Sequence, residues 1–162
     1  MKLREMSLDD MAIIKGWPAY PDEFEDLDYA LREEGWIDEF SGKAGTTIFT
    51  GEENKIIAGF TILSKDSSIG TLAEFRIAIN PAMLGLGLGK ELARMTLKKG
   101  FQELRLNKIY LIVRKNNRRA KQLYERLGFR YSGECQKEIH GMIVDLFEMT
   151  LEKENFERSM KG

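Results

Sequence analysis

A glycine-rich loop between a strand and a helix is the feature that most constrains this 162-residue chain. The loop reads LGLGLGK over residues 84–90 and follows an apolar segment that ends at Pro81. Its three glycines lack the Cβ atoms that would keep an anion away from backbone N–H groups, and the helix that follows adds the positive end of its dipole. The pattern therefore predicts a phosphate-binding loop that needs no metal.

Two familiar phosphate-binding motifs do not fit this loop. A Walker A loop needs G-x-x-x-x-G-K followed by Ser or Thr, but Leu84 stands at the first glycine and Glu91 at the hydroxyl. A dinucleotide fingerprint needs G-x-G-x-x-G after a strand, whereas Lys90 stands at the third glycine. An ordinary glycine-rich turn before a helix stays the alternative interpretation of this segment alone.

A second motif, NNRRAKQLYERLGF, occupies residues 116–129. In a helix, Asn117, Ala120 and Tyr124 share one face because their spacing is i, i+3 and i+7. Gly128 suits the left-handed residue that ends a helix. Alone, Tyr124 fits an amphipathic core tyrosine equally well. Together with the loop, the motif predicts a site for a phosphate-bearing acyl carrier with a phenol near its leaving group.

The rest of the chain alternates short strands and helices. We expect strands over residues 2–6, 46–50, 55–64, 71–80, 108–114, 129–135 and 142–151, and helices over residues 7–15, 22–40, 86–104 and 117–127. The order strand, loop, helix, strand, helix predicts parallel central strands, with antiparallel hairpins on either side. The fold class is therefore α/β (α+β), a single mixed sheet flanked by helices. One domain spans residues 1–162, and residues 152–162 form a frayed tail.

Composition narrows the function classes. The hydrophobic fraction of 43% suffices for one core, and the net charge of −1 argues against a nucleic-acid binder. The single Cys135 and single His140 exclude an internal disulfide and a zinc cluster, so no metal is expected. No apolar run approaches a membrane span of about 20 residues, and the first residues lack a signal-peptide core, which predicts a cytoplasmic protein without membrane association.

With both motifs in view, the chain resembles the GNAT superfamily of acetyl-coenzyme A-dependent N-acetyltransferases. The family's loop pattern Gln/Arg-x-x-Gly-x-Gly/Ala corresponds to Leu84, Gly87 and Gly89. The family pattern N-x-x-A-x-x-x-Y-x-x-x-G-F matches the second motif. AEFRIAINP at residues 73–81 and LNKIYLIV at residues 106–113 look like the spermidine N-acetyltransferases. Leu84 departs from the usual Gln or Arg, so we expect acetyl-CoA binding to depend on backbone donors and Lys90.

The resemblance implies that the two central strands splay apart and that the pantetheine arm of acetyl-CoA bonds the first of them within the gap. It also implies a set of coenzyme-binding residues. These are Ile77, Ala78, Ile79, Leu84, Gly85, Leu86, Gly87, Leu88, Gly89, Lys90, Asn117 and Ala120.

Two side chains are the implied catalytic groups. An alkyl ammonium with a pKa of about 10.4 is almost wholly protonated at pH 7, so a base or water relay near the amine would help. We assign this role to Glu74, which alternation places on one face of the strand with Leu72, Arg76 and Ala78. A Glu74–Arg76 pair on a solvated face is the alternative. Tyr124, as a neutral phenol, would protonate the leaving thiolate.

The sequence constrains the identity of the acceptor substrate less than that of the coenzyme. Between residues 22 and 39 the chain is strongly acidic, which would favour a polycationic amine but also fits a solvated face. Aromatic residues in the same region, Trp17, Tyr20, Phe24, Tyr29 and Trp36, could bind cations or pack the helices. The leading hypothesis is acetylation of a small primary amine, with a polyamine as candidate. A protein N-terminus as acceptor and a catalytically silent coenzyme A-binding module are the alternatives, and a homodimer is assigned by analogy.

Overall fold

The computed structural model of the chain describes residues 1–21, 31, 35–139 and 141–161. Within these residues, seven strands form one mixed sheet in the order β1-β2-β3-β4-β5-β7-β6. The strands are β1 (Lys2–Glu5), β2 (Thr46–Glu53), β3 (Ile56–Lys65), β4 (Leu72–Ile79), β5 (Lys108–Arg114), β6 (Arg130–Ile139) and β7 (Met142–Glu152). The helices with described bounds are α1 (Leu8–Lys15), α2 (Trp36–Phe40), α3 (Leu88–Gln102), α4 (Arg118–Arg126) and α5 (Lys153–Lys161).

The two central strands are parallel only over a short stretch. β4 and β5 pair from Leu72 with Lys108 to Glu74 with Tyr110, and no further. β4 continues beside β3 as far as Ile79, which lies opposite Gly59. Because β4 loses one neighbour and keeps the other, a gap opens between β4 and β5. The expected mixed sheet with splayed central strands is therefore confirmed.

Each face of the sheet has its own hydrophobic core. The first core contains Leu92, Leu97 and Phe101 of α3 together with Phe75 and Ile77 of β4, among others. The second core contains Ile14 of α1, Ile37 and Phe40 of α2, and Ala78 of β4. Neighbouring residues of β4 enter different cores because side chains alternate along a strand. α3 and α4 thus cover one face of β4, and α1 and α2 cover the other.

A capping box begins α1. The Ser7 hydroxyl accepts a hydrogen bond from the Asp10 amide, and the Asp10 carboxylate accepts one from the Ser7 amide. Arg4 donates to both oxygens of the same carboxylate, at 2.5 and 2.8 Å. The Arg4 guanidinium holds the pKa of Asp10 well below its ordinary value. These contacts join the start of α1 to β1.

The hairpin turn between β2 and β3 is shorter than residues 51–54, the turn predicted from the sequence. Asn54 and Lys55, with φ angles of 51° and 67°, form the turn, and Gly51 lies within β2. A Cβ atom on Gly51 would lie 2.7 Å from Cδ1 of Leu92 in α3. Gly51 therefore allows α3 to pack closely against β2, and it is not a turn residue.

Three other boundaries differ from the predictions. α3 begins at Leu88 rather than at residue 86, because the backbone at Gly85 and Gly87 is left-handed. β6 extends four residues past the predicted end, to Ile139. The predicted frayed tail is wrong: α5 forms there, and Phe156, 3% exposed, has its ring centroid 5.3 Å from that of Phe101.

Most of the predicted helix over residues 22–40 lies outside the described residues, and so does His140. Only the last part of that predicted helix can be compared with the structure, and there α2 spans Trp36–Phe40. In the part of the chain that the structure describes, no helix has the length and apolarity needed to span a membrane.

Candidate active site

The backbone of β4 determines which groups face the gap. The Asn80 amide donates to the Ala58 carbonyl at 2.8 Å, so even-numbered residues of β4 direct their backbone groups toward β3. Ile77 and Ile79 then face the gap, where β4 has no strand partner. Ala78, also predicted to bind the coenzyme, faces β3 with its backbone and the second core with its side chain. Of the three predicted positions, two therefore expose backbone groups to the gap.

Tyr20 contacts the gap-facing backbone, which sequence reasoning did not anticipate. Its hydroxyl donates a hydrogen bond to the Ile79 carbonyl at 2.5 Å, and the side chain is 5% exposed. The sequence suggested only cation binding or helix packing for this tyrosine. Because 59 positions separate the two residues, no local pattern could have revealed the contact.

The glycine loop has the geometry expected of an anion site. Gly85 and Gly87 have φ angles of 80° and 76°, and a Cβ atom on either would meet no atom within 4 Å. Gly87 is the N-cap of the 15-residue α3, and no side chain caps the helix. The first N–H groups of α3 therefore have no side-chain partner at the positive end of the helix dipole. Leu86 is 66% exposed and Lys90 is exposed at the same end, while Leu84 and Leu88 are half-buried.

Gly89 lies where three elements meet. A Cβ atom at this position would lie 3.7 Å from Cγ1 of Ile79 and 3.8 Å from Cδ2 of Leu123. Those are ordinary contact distances, so this glycine is not required for space. The position shows that the glycine loop, the gap-facing end of β4 and α4 converge at one point.

Asn117 caps α4. Its side-chain oxygen accepts a hydrogen bond from the Ala120 amide at 3.1 Å, which fixes the start of the helix that carries Tyr124. Asn117 and Ala120 were predicted to contact the coenzyme, and both are half-buried. In this structure, the described contact of Asn117 is structural.

Tyr124 packs against the first core. Its ring lies edge-on to Phe129, with centroids 5.9 Å apart. Burial raises the pKa of Tyr124 to about 12, so the phenol is neutral at physiological pH. No hydrogen bond joins its hydroxyl to another described residue. The side chain is therefore a proton donor without a partner in the described structure.

Glu74 lies on the opposite face of β4. Its Oε1 atom accepts a hydrogen bond from Nη1 of Arg76 at 2.8 Å. The ion pair that the sequence offered as the alternative is thus present, but both side chains are half-buried rather than fully solvated. Tyr110 lies opposite Glu74 at the last paired position before the gap. Burial and the negative charge of Glu74 raise the pKa of Tyr110.

Arg76 stacks on aromatic rings. Its guanidinium carbon lies 4.5 Å from the Phe40 ring centroid and 5.7 Å from that of Trp36. Trp36 and Trp17 also contact Phe60, at centroid distances of 6.5 and 6.4 Å. Trp17 and Trp36 thus pack against the second core, and Trp36 contacts a cation as well.

Only part of the acidic stretch predicted over residues 22–39 lies within the described residues. Asp38 pairs with Lys15, and Glu39 is exposed. The other acidic residues of this stretch lie outside the described residues: Asp22, Glu23, Glu25, Asp26, Asp28, Glu33 and Glu34. The aromatic residues Phe24 and Tyr29 lie outside them as well. Among the described residues, no three His, Cys, Asp or Glu side chains are grouped as a metal site requires.

Comparison with known proteins agrees with this geometry. Spermidine N(1)-acetyltransferase of Escherichia coli K12 is 36% identical over 96 residues, which are 58% of this chain and 52% of that protein. The Vibrio cholerae enzyme of the same name is 35% identical over 100 residues, 60% of this chain and 58% of that protein. The aligned part thus spans little more than half the length of these relatives.

Solved structures match over nearly the whole chain. Spermidine N-acetyltransferase from Vibrio cholerae in complex with CoA and spermine is 25% identical, with a TM-score of 0.78, and the match covers 96% of both chains. A chimera of the Vibrio cholerae enzyme and hSSAT is 26% identical, with a TM-score of 0.77 and full coverage of both chains. The profile of the acetyltransferase (GNAT) family matches residues 12–129. This chain therefore belongs to the GNAT family of acetyltransferases.

Proposed function

We propose that this protein is an N-acetyltransferase that transfers the acetyl group of acetyl-CoA to a primary amine of a polyamine by direct attack in a ternary complex. The observation that carries the proposal is the gap between β4 and β5. Its anion-binding loop and Tyr124 lie on one face of β4, and Glu74 lies on the other. Two substrates could therefore meet in the gap from opposite faces.

The residues present fit acetyl-CoA. The open positions beside Gly85 and Gly87 and the uncapped start of α3 suit a diphosphate, which supports backbone recognition despite Leu84. The backbone of Ile77 faces the gap and suits an extended amide-bearing arm. The Ile77 N–H group is our candidate for polarising the thioester carbonyl. Acetyl-CoA supplies an activated acetyl group, and the protein supplies binding, orientation and proton transfer.

Tyr124 and Glu74 divide the proton transfers. As the amine nitrogen forms the new C–N bond and the C–S bond breaks, Glu74 takes the proton that the nitrogen loses, directly or through a water. Tyr124 gives its hydroxyl proton to the departing sulfur. An ordinary phenol, with a pKa of about 10, is already protonated at physiological pH. Burial, which raises the pKa of Tyr124 to about 12, keeps the hydroxyl in the proton-bearing form that the assignment requires.

The polyamine assignment is supported by the relatives, several of which are named for spermidine, and one of which was solved with spermine. The half-buried Glu74 carboxylate pairs with an Arg76 guanidinium that stacks on two aromatic rings, and these surroundings support an ammonium-bearing acceptor. The homodimer and the cytoplasmic location expected from the sequence stay predictions.

Thiol release from acetyl-CoA tests the proposal directly. We expect release with spermidine and spermine, slower release with butylamine, and none with a peptide that has a free N-terminus. Release with the peptide alone would favour the protein-acetyltransferase alternative. Tight acetyl-CoA binding in calorimetry, without release for any amine or peptide, would favour the silent module and refute the enzyme.

A further inference from the structure

The surroundings of Arg76 have the composition of a binding site for an alkylammonium ion. The guanidinium carbon lies 4.5 Å from the Phe40 centroid and 5.7 Å from the Trp36 centroid. Its Nη1 atom donates to Glu74 at 2.8 Å. Aromatic faces and a carboxylate are the groups with which proteins bind organic ammonium ions. In this structure, a cation of the chain itself occupies them.

The position of this cluster places it beside the acceptor rather than the coenzyme. Glu74 lies at the last paired position of β4 and β5, directly below the gap. Trp36 and Phe40 belong to the side of the sheet that α1 and α2 cover. The glycine loop and α4 contact the end of β4 near Gly89, and Tyr124 packs in the other core. A ligand at the cluster would therefore approach the gap from the face opposite Tyr124.

The Phe40 and Trp36 rings are held in place by packing, whereas the charged end of Arg76 can move away from them into solvent. Phe40 is buried, and Trp36 lies edge-on against Phe60 with centroids 6.5 Å apart. The side chains of Arg76 and Glu74 are 20% and 16% exposed, so solvent reaches both. An arginine side chain has several rotatable bonds and can move its charged end to water while its stem stays packed. Departure of Arg76 would release the Glu74 carboxylate, the proposed base, from its ion pair.

We propose that the Trp36 and Phe40 rings form an ammonium-binding site beside Glu74 that Arg76 occupies in the free protein, and that a distal ammonium group of the acceptor competes with Arg76 for it, which leaves Glu74 to the reacting nitrogen. The identity of the competitor rests on the proposed polyamine function. Arg76 is then a specificity-determining residue. Its displacement weakens the binding of di- and polyamines, while a monoamine, which has no second ammonium group, leaves it in place.

Substitution of the resident cation tests this assignment. In Arg76→Gln, we expect the KM for spermidine to fall about three- to tenfold, the range that one cation–π contact represents, while the KM for butylamine stays unchanged. Lys43→Gln is the matched control, because the Lys43 Nζ atom lies 5.1 Å from the same Phe40 ring. That control should leave both KM values unchanged. A spermidine KM that is unchanged or raised in folded Arg76→Gln would overturn the proposal.

A binding experiment separates this site from the proposed activity. The chain has two tryptophans, so Trp17→Phe leaves Trp36 as the sole tryptophan reporter. With saturating coenzyme A, spermidine should change Trp36 emission saturably, and at lower concentration once Arg76→Gln is added. The readout needs no turnover, so it decides the site even if no amine is acetylated. Unchanged Trp36 emission in the Arg76-containing protein would refute the site, whether or not Arg76→Gln folds.

Discussion

The two faces of β4 differ in whether the groups proposed to bind a ligand already have partners within the protein. On the coenzyme face, the left-handed glycines border open space and the first amides of α3 have no side-chain cap. On the acceptor face, Glu74 is paired with Arg76 and the aromatic rings already contact a guanidinium. One face presents unsatisfied donors, while the other satisfies its own groups internally.

Affinity and selectivity are therefore expected to arise on different faces of β4. Preorganised donors bind any ligand with the right anion, because nothing has to be displaced. A site that already contains an internal partner binds only a ligand able to replace that partner, so the displacement adds discrimination. We expect mutations on the coenzyme face to act on all acceptors equally, and mutations on the acceptor face to separate one amine from another.

The largest effect is expected from Tyr124→Phe. Loss of the proton donor should lower kcat by about 10²- to 10⁴-fold for every amine, with little change in acetyl-CoA affinity. Thiol-release kinetics and calorimetry measure the two quantities. Because the pKa of Tyr124 is raised to about 12, its deprotonation should not limit kcat anywhere below that pH. Full activity of Tyr124→Phe would show that another group, or water, protonates the sulfur.

Glu74→Gln is expected to have the next largest effect. Loss of the base should lower kcat at neutral pH by about 10²-fold, since general bases typically contribute that much. The substitution also breaks the pair with Arg76, so Arg76→Gln serves as the control for that loss. A fall in kcat in Glu74→Gln alone supports the base. Equal falls in both variants, or an unchanged rate across pH, would leave Glu74 with only a structural role.

Gly87→Ala should weaken coenzyme binding about tenfold. The left-handed backbone costs a residue with a Cβ atom roughly 1–2 kcal/mol, and the new methyl group would enter the space left for the anion. Gly70→Ala is the matched control, since its Cβ also meets nothing within 4 Å but its φ is not in the left-handed region. The coenzyme A Kd from calorimetry should rise only in Gly87→Ala, equally with and without spermidine. A Kd equal to that of the control would place the diphosphate elsewhere.

The smallest effect is expected from Tyr20→Phe, which removes one hydroxyl. The Ile79 carbonyl loses its hydrogen bond, which should cost about 1 kcal/mol and lower Tm by about 2–4 °C for a chain of this size. Thermal unfolding followed by circular dichroism measures the change. An unchanged Tm would mean that water replaces the hydroxyl at this carbonyl without loss.

The sequence predicted the glycine loop and the start of α4 better than the contacts around Arg76 and Tyr20, and the reason is physical. The glycine loop and the cap at Asn117 depend on residues close together in the chain, so their spacing reveals them. The contact of Tyr20 with Ile79 and the stacking of Arg76 on Phe40 join residues far apart in sequence. Such contacts leave no local pattern.

The errors in the predicted fold also come from contacts between residues far apart in sequence. Gly51 looked like a turn residue because glycine usually marks turns, but its role is to admit Leu92 of a later helix. The final segment looked like a polar tail because Phe156 is a lone aromatic among charged residues, yet it completes the core beside Phe101. In both cases, a tertiary contact overrode the local preference of the chain.

The short seam between β4 and β5 fixes the depth of the catalytic cleft. Three residue pairs hold the two halves of the sheet together, and Glu74 belongs to the last of them. One more pair would join Phe75 to Leu111 and raise the floor of the cleft toward Ile77, whereas one fewer would lower the floor beneath the carboxylate. The length of a hydrogen-bonded ladder would thereby determine how far the proposed base, Glu74, lies from the bond that forms.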